Sequence, residues 1–239
     1  MTAPSLPSGA PDEALLALLR DKFDLALEEV ALGDHRFWMA VVRQPEKLLD
    51  AISADEFARD ERVPYWAELW TSSIALGEHL LRDSTLRGAA VLELGCGVGL
   101  AGIAAVRAGA EVTMTDYDDD ALLFARWNAG ANLDGAEGGR LKIRPLDWRL
   151  APPAIYDVIV GADIVYERRH FQPLMTFFEA ALRPDGYVLL GEPCRSMGDD
   201  FFAGAVEKGF DVTEKQLSVD RRGRTSSVRL CTLRKGSRA

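Results

Sequence analysis

The sequence predicts an α/β fold: a mostly parallel sheet with helices on both faces, closed by an antiparallel hairpin. Three observations predict it. From residue 90 onward, short apolar runs alternate with amphipathic segments, the pattern of parallel strands covered on both sides by helices. The run Val91-Leu92-Glu93-Leu94 leads into Gly95, Gly97 and Gly99 and then a helix, a tight strand–turn–helix junction. Two final strand-like runs flank Arg221-Arg222-Gly223, a turn signal.

The elements follow from these patterns. Residues 1–11, rich in Pro, Ser and Ala, are expected to be disordered. Residues 12–62 read as an N-terminal extension, with a helix over 13–22 and a strand over 37–42 after a Gly33-Asp34 turn. An aromatic-rich stretch, 63–70, precedes a helix expected over 74–81 and capped by Ser72 or Ser73. Strands are expected at 90–94, 111–116, 141–144, 157–161 and 186–191, and helices at 100–108, 119–129, 171–182 and 201–208. Residues 146–155 are too short for a crossover helix. Strands at 210–218 and 226–233 form the hairpin, which makes seven strands from residue 90 on.

Composition excludes several classes. The chain has 239 residues, 48% of them hydrophobic, enough for one full α/β core. No apolar run reaches the ~20 residues of a membrane span, and the first residues carry no basic-then-apolar leader, so no membrane or secretory role is expected. Cys96, Cys194 and Cys231 are widely spaced, as are the three histidines. Reduced thiols in a cytoplasm are expected, with no metal site. A net charge of −9 argues against a nucleic-acid partner. Against that balance, residues 221–239 hold seven basic and no acidic residues. A solvated hairpin and tail explains them, and a docking surface for an acidic partner is the alternative.

The glycine-rich turn points to a nucleoside cofactor. Alternating glycines let a ligand approach bare backbone, and Asp116, ending the next strand, is placed to bind a ribose diol. Gly97-x-Gly99-x-x-Gly102 also satisfies the dinucleotide fingerprint. Glu93 favours the other reading. A carboxylate at the mouth of the turn repels a pyrophosphate but attracts, directly or through water, the ammonium and sulfonium of S-adenosylmethionine.

Glu93-x-Gly95-x-Gly97-x-Gly99, with an acid ending the second strand, resembles the Rossmann-like, seven-strand S-adenosylmethionine-dependent methyltransferases. Trp70-Thr-Ser-Ser73, Leu146-Asp147-Trp148 and Asp163-Ile-Val-Tyr166 narrow the resemblance to the family-16 methyltransferases, which include many protein-lysine methyltransferases. It spans roughly residues 63–195, and the methyltransferase domain is expected to be 63–239. Arg149 stands where many members of that family have glycine.

The resemblance and the geometry together assign roles. Gly95, Cys96 and Gly97 line the methionine part, Gly99 is a further cofactor-binding residue of the same turn, and Asp116 takes the ribose diol. Tyr117 or Trp148 stacks on adenine, Asp147 accepts from its amine, Ala162 forms a wall, and Trp70 covers the cofactor. Asp163 orients an incoming lysine amine and Tyr166 walls its channel. Each has a plainer alternative: Tyr65, Trp66 and Trp70 as core aromatics, Asp147 and Asp163 as loop caps, Tyr166 as packing. His170 reads as the start of a helix. The expected function is N-methylation of a lysine in a specific cytoplasmic protein. The alternatives are a small-molecule N-methyltransferase, favoured if residues 12–62 form a lid, and a non-catalytic cofactor-binding module. A nucleic-acid amino-methyltransferase is disfavoured, because Asp163-Ile-Val-Tyr166 lacks the prolines that hold a flipped base.

Overall fold

The computed structural model describes residues 12–50 and 63–236. The tail expected to be disordered, 1–11, lies outside the described residues.

The alternation of apolar strands and helices builds a seven-stranded sheet in the order β5-β4-β3-β6-β7-β9-β8. Its strands are β3 (Ala90–Leu94), β4 (Glu111–Asp116), β5 (Leu141–Pro145), β6 (Tyr156–Ala162), β7 (Leu182–Glu192), β8 (Phe210–Arg221) and β9 (Arg224–Lys235). The first five pair in parallel, and β9 runs antiparallel to both neighbours. Chain order reverses direction between β3 and β6, which opens a crevice at the carboxyl ends of the central strands. As expected, no helix forms between β5 and β6.

The helices cover both faces. α2 (Thr71–Arg82), α3 (Leu100–Arg107) and α4 (Asp119–Asn132) contribute to one core; α5 (Phe171–Ala181) and α6 (Ser196–Glu207) fill the other with Phe177, Phe178 and Phe201. α3 is buried along nearly its whole length, and Gly102 on it sits so close to Glu93 and Met114 that any Cβ would collide. Among the described residues, no helix is long and apolar enough to cross a membrane.

Several boundaries differ from the expected ones for local reasons. α2 begins at Thr71, and neither Ser72 nor Ser73 caps it: Ser73 Oγ donates back to Trp70 O at 2.8 Å, and Ser72 is buried. α6 starts at Ser196, five residues before the expected 201, because its first turn is hydrophilic. β7 starts at Leu182, directly from α5. The Arg222-Gly223 turn has both residues in the left-handed region, φ 50° and 73°, which matches the twist of the flanking strands.

The extension holds α1 (Glu13–Lys22) and a two-stranded hairpin, β1 (Leu25–Leu32) with β2 (His35–Val42). β1 was not expected: Glu28 and Glu29 interrupt its apolar pattern, and its pairing partner, not its own period, makes it a strand. Two asparagines on α4 serve the hairpin's open edge. Asn128 Oδ1 accepts from Ala40 N (2.6 Å) while its Nδ2 donates to Ala40 O (3.1 Å) and Val98 O (2.8 Å). Asn132 repeats the pattern at Trp38, with bonds of 2.8 and 2.7 Å.

The basic C-terminal segment is largely engaged within the molecule. Arg221 pairs with Glu28 and Glu68 and donates to Leu69 O, Arg222 pairs with Glu28, and Arg229 pairs with Glu192 and Asp199.

Asn128→Ala would leave three backbone groups of the hairpin and the glycine turn unsatisfied. It is expected to cost about 2–3 kcal/mol in urea unfolding; a loss below about 0.5 kcal/mol would show that water replaces the amide.

Candidate active site

The loops after β3, β4, β5 and β6 converge at the carboxyl edge of the sheet and enclose a cavity of about 330 Å³. Every residue assigned a cofactor or acceptor role above lines it, except Glu93 and Gly99.

The floor is the turn after β3. Gly97 has φ 51°, and a Cβ there would lie 3.2 Å from Trp66 O, so only glycine lets the 63–70 segment close over the turn. Gly99 (φ 89°) starts α3, and a Cβ on it would meet Met114 Cε at 2.5 Å. Its part is to shape the turn from behind, not to face the cavity. Cys96 Sγ sits in the wall, and burial pushes its thiol well up, so it is no nucleophile.

Asp116 locks the floor to β4. Its Oδ2 accepts from Gly97 N at 2.8 Å and its Oδ1 from Asp118 N at 3.0 Å. The Tyr117 backbone N–H also faces this carboxyl, which still leaves it accepting capacity, and the residue lines the cavity. Burial raises its carboxyl to about 6, against the pull of those backbone donors.

Glu93 is a correction. It is 2% exposed and sits behind the turn, against Gly102 and Met114, outside the cavity wall. Its Oε2 finds no hydrogen-bond partner among the described residues. Burial, and then Asp116, push its carboxyl up to about 8. That favours its protonated form at neutral pH, and its place behind the turn keeps it from direct contact with a ligand in the cavity.

The β5 end supplies Asp147 and Trp148. Arg149 grips Asp147 with Nε and Nη2 at 2.7–2.9 Å and lies 5.3 Å over the Tyr117 ring. The guanidinium holds the Asp147 carboxyl below its ordinary range. Where the resembled family has glycine, this chain thus has a side chain that ties two cavity-lining residues together.

Beyond β6, Asp163 adopts the left-handed conformation (φ 58°), its N–H donating to Gly191 O at 2.7 Å. Burial raises its carboxyl and Arg195 opposes the rise. Tyr166, whose phenol burial pushes far up, packs edge-on against Tyr65 (5.1 Å) and His170 (5.8 Å). Tyr65, Trp66 and Trp70 all reach the cavity, and Trp66 packs against Phe23 and Phe124 as well. Trp66 is both wall and core.

Sequence reasoning missed His170 and Arg195. His170 lines the cavity edge-on to Trp148 at 5.4 Å, and burial lowers its pKa. Arg195 follows β7, so its place at the carboxyl edge was the available signal. No described residue of the 12–50 segment lines the cavity.

The residues fit S-adenosylmethionine: the turn at Gly95 and Gly97 presents backbone to the cavity, and the Asp116 carboxylate faces the same space. Solved structures share the architecture. A ribosomal protein L11 methylase from Lactobacillus delbrueckii subsp. bulgaricus superposes with a TM-score of 0.57, at 20% identity over 87% of this chain and 99% of that one. A magnesium protoporphyrin IX methyltransferase from Synechocystis PCC 6803 with bound S-adenosylmethionine gives 0.56, at 19% identity over 79% of this chain and 88% of that one. These likenesses define the architecture as that of the Rossmann-like methyltransferases.

The sequence profile described as lysine methyltransferase matches residues 58–209, and the chain belongs to that family. The protein N-lysine methyltransferase METTL21A of Danio rerio is 34% identical over 67% of this chain and 76% of its own length. EEF1A lysine methyltransferase 3 of Mus musculus is 31% identical over 64% and 68%. The chain is thus a member of the S-adenosylmethionine-dependent lysine methyltransferases.

Folded Glu93 keeps its proton to about pH 8, whereas the unfolded chain releases it near 4.5, so the unfolded state binds fewer protons across that window and stability falls as pH rises. Asp116 contributes in the same sense only up to about 6. Glu93→Gln is therefore expected to flatten the fall in Tm between pH 6 and pH 8, measured by circular dichroism without cofactor. Parallel wild-type and variant curves would show Glu93 ionised in the folded state.

Proposed function

We propose that the protein methylates a lysine on the surface of one specific cytoplasmic protein, using the cavity at the carboxyl edge of β3, β4 and β6. The observation that carries this reading is the joining of a glycine-floored cofactor cradle to an aromatic wall. The cradle is Gly95, Gly97 and Asp116; the wall is Tyr65, Trp70 and Tyr166. The catalytic unit is residues 63–239, with the N-terminal segment bracing it. Three free cysteines suit a reducing compartment, and the acidic balance suits a protein acceptor better than nucleic acid.

Asp116 accepts from the ribose hydroxyls, with its carboxylate already oriented by Gly97 and Asp118. Tyr117 and Trp148 flank the adenine, and Asp147 accepts from its amine once Arg149 yields one oxygen. Ala162 and Cys96 leave room beside the methionine part, which Trp70 covers. Bound S-adenosylmethionine supplies a methyl group already activated by a sulfonium, so positioning and desolvation dominate. Trp70, Tyr65 and Tyr166 exclude water from the lysine, which disfavours its ammonium form. Asp163 accepts one N–H of the neutral amine and turns its lone pair toward the methyl carbon. The cofactor would supply the methyl carbon and keep the C–S bonding pair as a neutral thioether; the methylated nitrogen, then carrying two protons, would release one to water while Asp163 holds the other.

Incubation with tritiated S-adenosylmethionine and lysate of the source cells is expected to label a discrete protein band, with methyl-lysine found on mass-spectrometric mapping. Label confined to small molecules would contradict the reading. Asp163→Ala is expected to lower the labelling rate about a hundredfold while leaving cofactor affinity within about twofold by calorimetry. Collapse of cofactor binding would instead place Asp163 among the cofactor contacts.

A further inference from the structure

Asp163 does not meet the acceptor as a bare carboxylate. Arg195 Nη1 donates to its Oδ1 at 2.6 Å, and Nη2 stands 3.4 Å from Oδ2. Arg195 is not among the residues lining the cavity; its side chain is 40% exposed, and its guanidinium covers the Trp70 ring at 5.7 Å. Its backbone is fixed as firmly as its side chain: Arg195 N donates to Glu192 Oε2 at 3.1 Å, and its carbonyl accepts from Arg229 Nη2 at 3.1 Å. Glu192 is 1% exposed and ion-paired with Arg229 of β9, which also holds Asp199 at 2.6 Å and faces Glu214. The terminal hairpin thus clamps the residue that clamps Asp163.

The chemistry of amine methylation gives this clamp a purpose beyond rigidity. A carboxylate beside an amine stabilises the ammonium, and an ammonium has no lone pair to attack with. A lysine starts from a reference pKa of about 10.4, so an unpaired Asp163 would orient the substrate and disarm it together. A guanidinium on the far side of the carboxylate offsets its charge while leaving lone pairs to accept an N–H. The other groups facing this pair do not replace it: Glu192 is matched by Arg229, and the Tyr166 phenol stays protonated in its buried place.

We infer that Arg195 sets which form of the lysine Asp163 holds: its guanidinium cancels the carboxylate's charge, so that Asp163 orients the neutral amine without trapping the ammonium. Arg195 is a positioning residue, acting through Asp163, and the inference rests on the reading of Asp163 as the group that orients the acceptor.

The test is the pH profile of tritium transfer to the labelled lysate protein by wild type, Arg195→Gln, Arg195→Lys, Asp163→Asn and the double variant Arg195→Gln/Asp163→Asn. Arg195→Gln is expected to shift the profile up by about one unit, about tenfold slower near pH 7.5 and recovering toward pH 9.5. Arg195→Lys keeps the wild-type midpoint, and the double variant shows no shift relative to Asp163→Asn. A second measurement needs no protein acceptor. With S-adenosylhomocysteine present, n-butylamine affinity of the wild type is expected to rise nearly a hundredfold between about pH 7.5 and 9.5, following the neutral amine, and that of Arg195→Gln only about tenfold, as a one-unit rise in the bound amine's pKa requires. An Arg195→Gln enzyme slowed equally at every pH, with wild-type amine binding, would overturn the inference and leave Arg195 a loop anchor. Asp163→Asn with wild-type rates would instead overturn the reading of Asp163 itself.

Discussion

The Asp116 carboxylate, held by the Gly97 and Asp118 amides, is the interaction on which the site depends. Those two bonds hold the turn after β3 at a set distance from the tip of β4. They leave the carboxylate at the cavity surface, desolvated enough to raise its pKa but still able to accept further hydrogen bonds. The turn can lie that close only because Gly97 and Gly99 take left-handed backbone and Gly102 brings α3 against Glu93 and Met114. Packing behind the turn and hydrogen bonding in front of it fix the same few atoms.

Ion pairs from the two chain-distant hairpins then close the roof. Arg221, at the end of β8, binds Glu28 of the N-terminal hairpin and both Glu68 and the Leu69 carbonyl of the segment carrying Tyr65, Trp66 and Trp70. Arg229 of β9 secures Glu192 and, through it, Arg195 beside Asp163. Buried pairs of this kind contribute little net stability against well-packed apolar replacements. Their value here lies in placing aromatic and acidic groups around the cavity. The basic segment read as solvated tail or docking surface is, for Arg221, Arg222 and Arg229, internal scaffolding.

The central sheet was legible because its strands are apolar runs of the right length between amphipathic helices. The turn after β3 was legible because alternating glycines between a strand and a helix bare the backbone to a ligand. β1 was not, since Glu28 and Glu29 break its period and only pairing with β2 makes it a strand. The side on which Glu93 lies was not legible, because spacing along a strand does not tell which face of the turn a side chain takes: it packs inward, away from direct contact with the cavity. His170 and Arg195 carry no motif of their own. Their roles arise only when the loops after β6 and β7 are brought to one edge.

The most direct measurement is calorimetric titration of S-adenosylmethionine into wild type and Asp116→Asn, with circular dichroism confirming that both are folded. Loss of a buried, charge-assisted acceptor predicts at least about tenfold weaker binding by the variant, and wild-type affinity that falls as pH drops below about 6. Equal affinities for the two proteins would remove Asp116 from the cofactor site and with it the account built on that carboxylate.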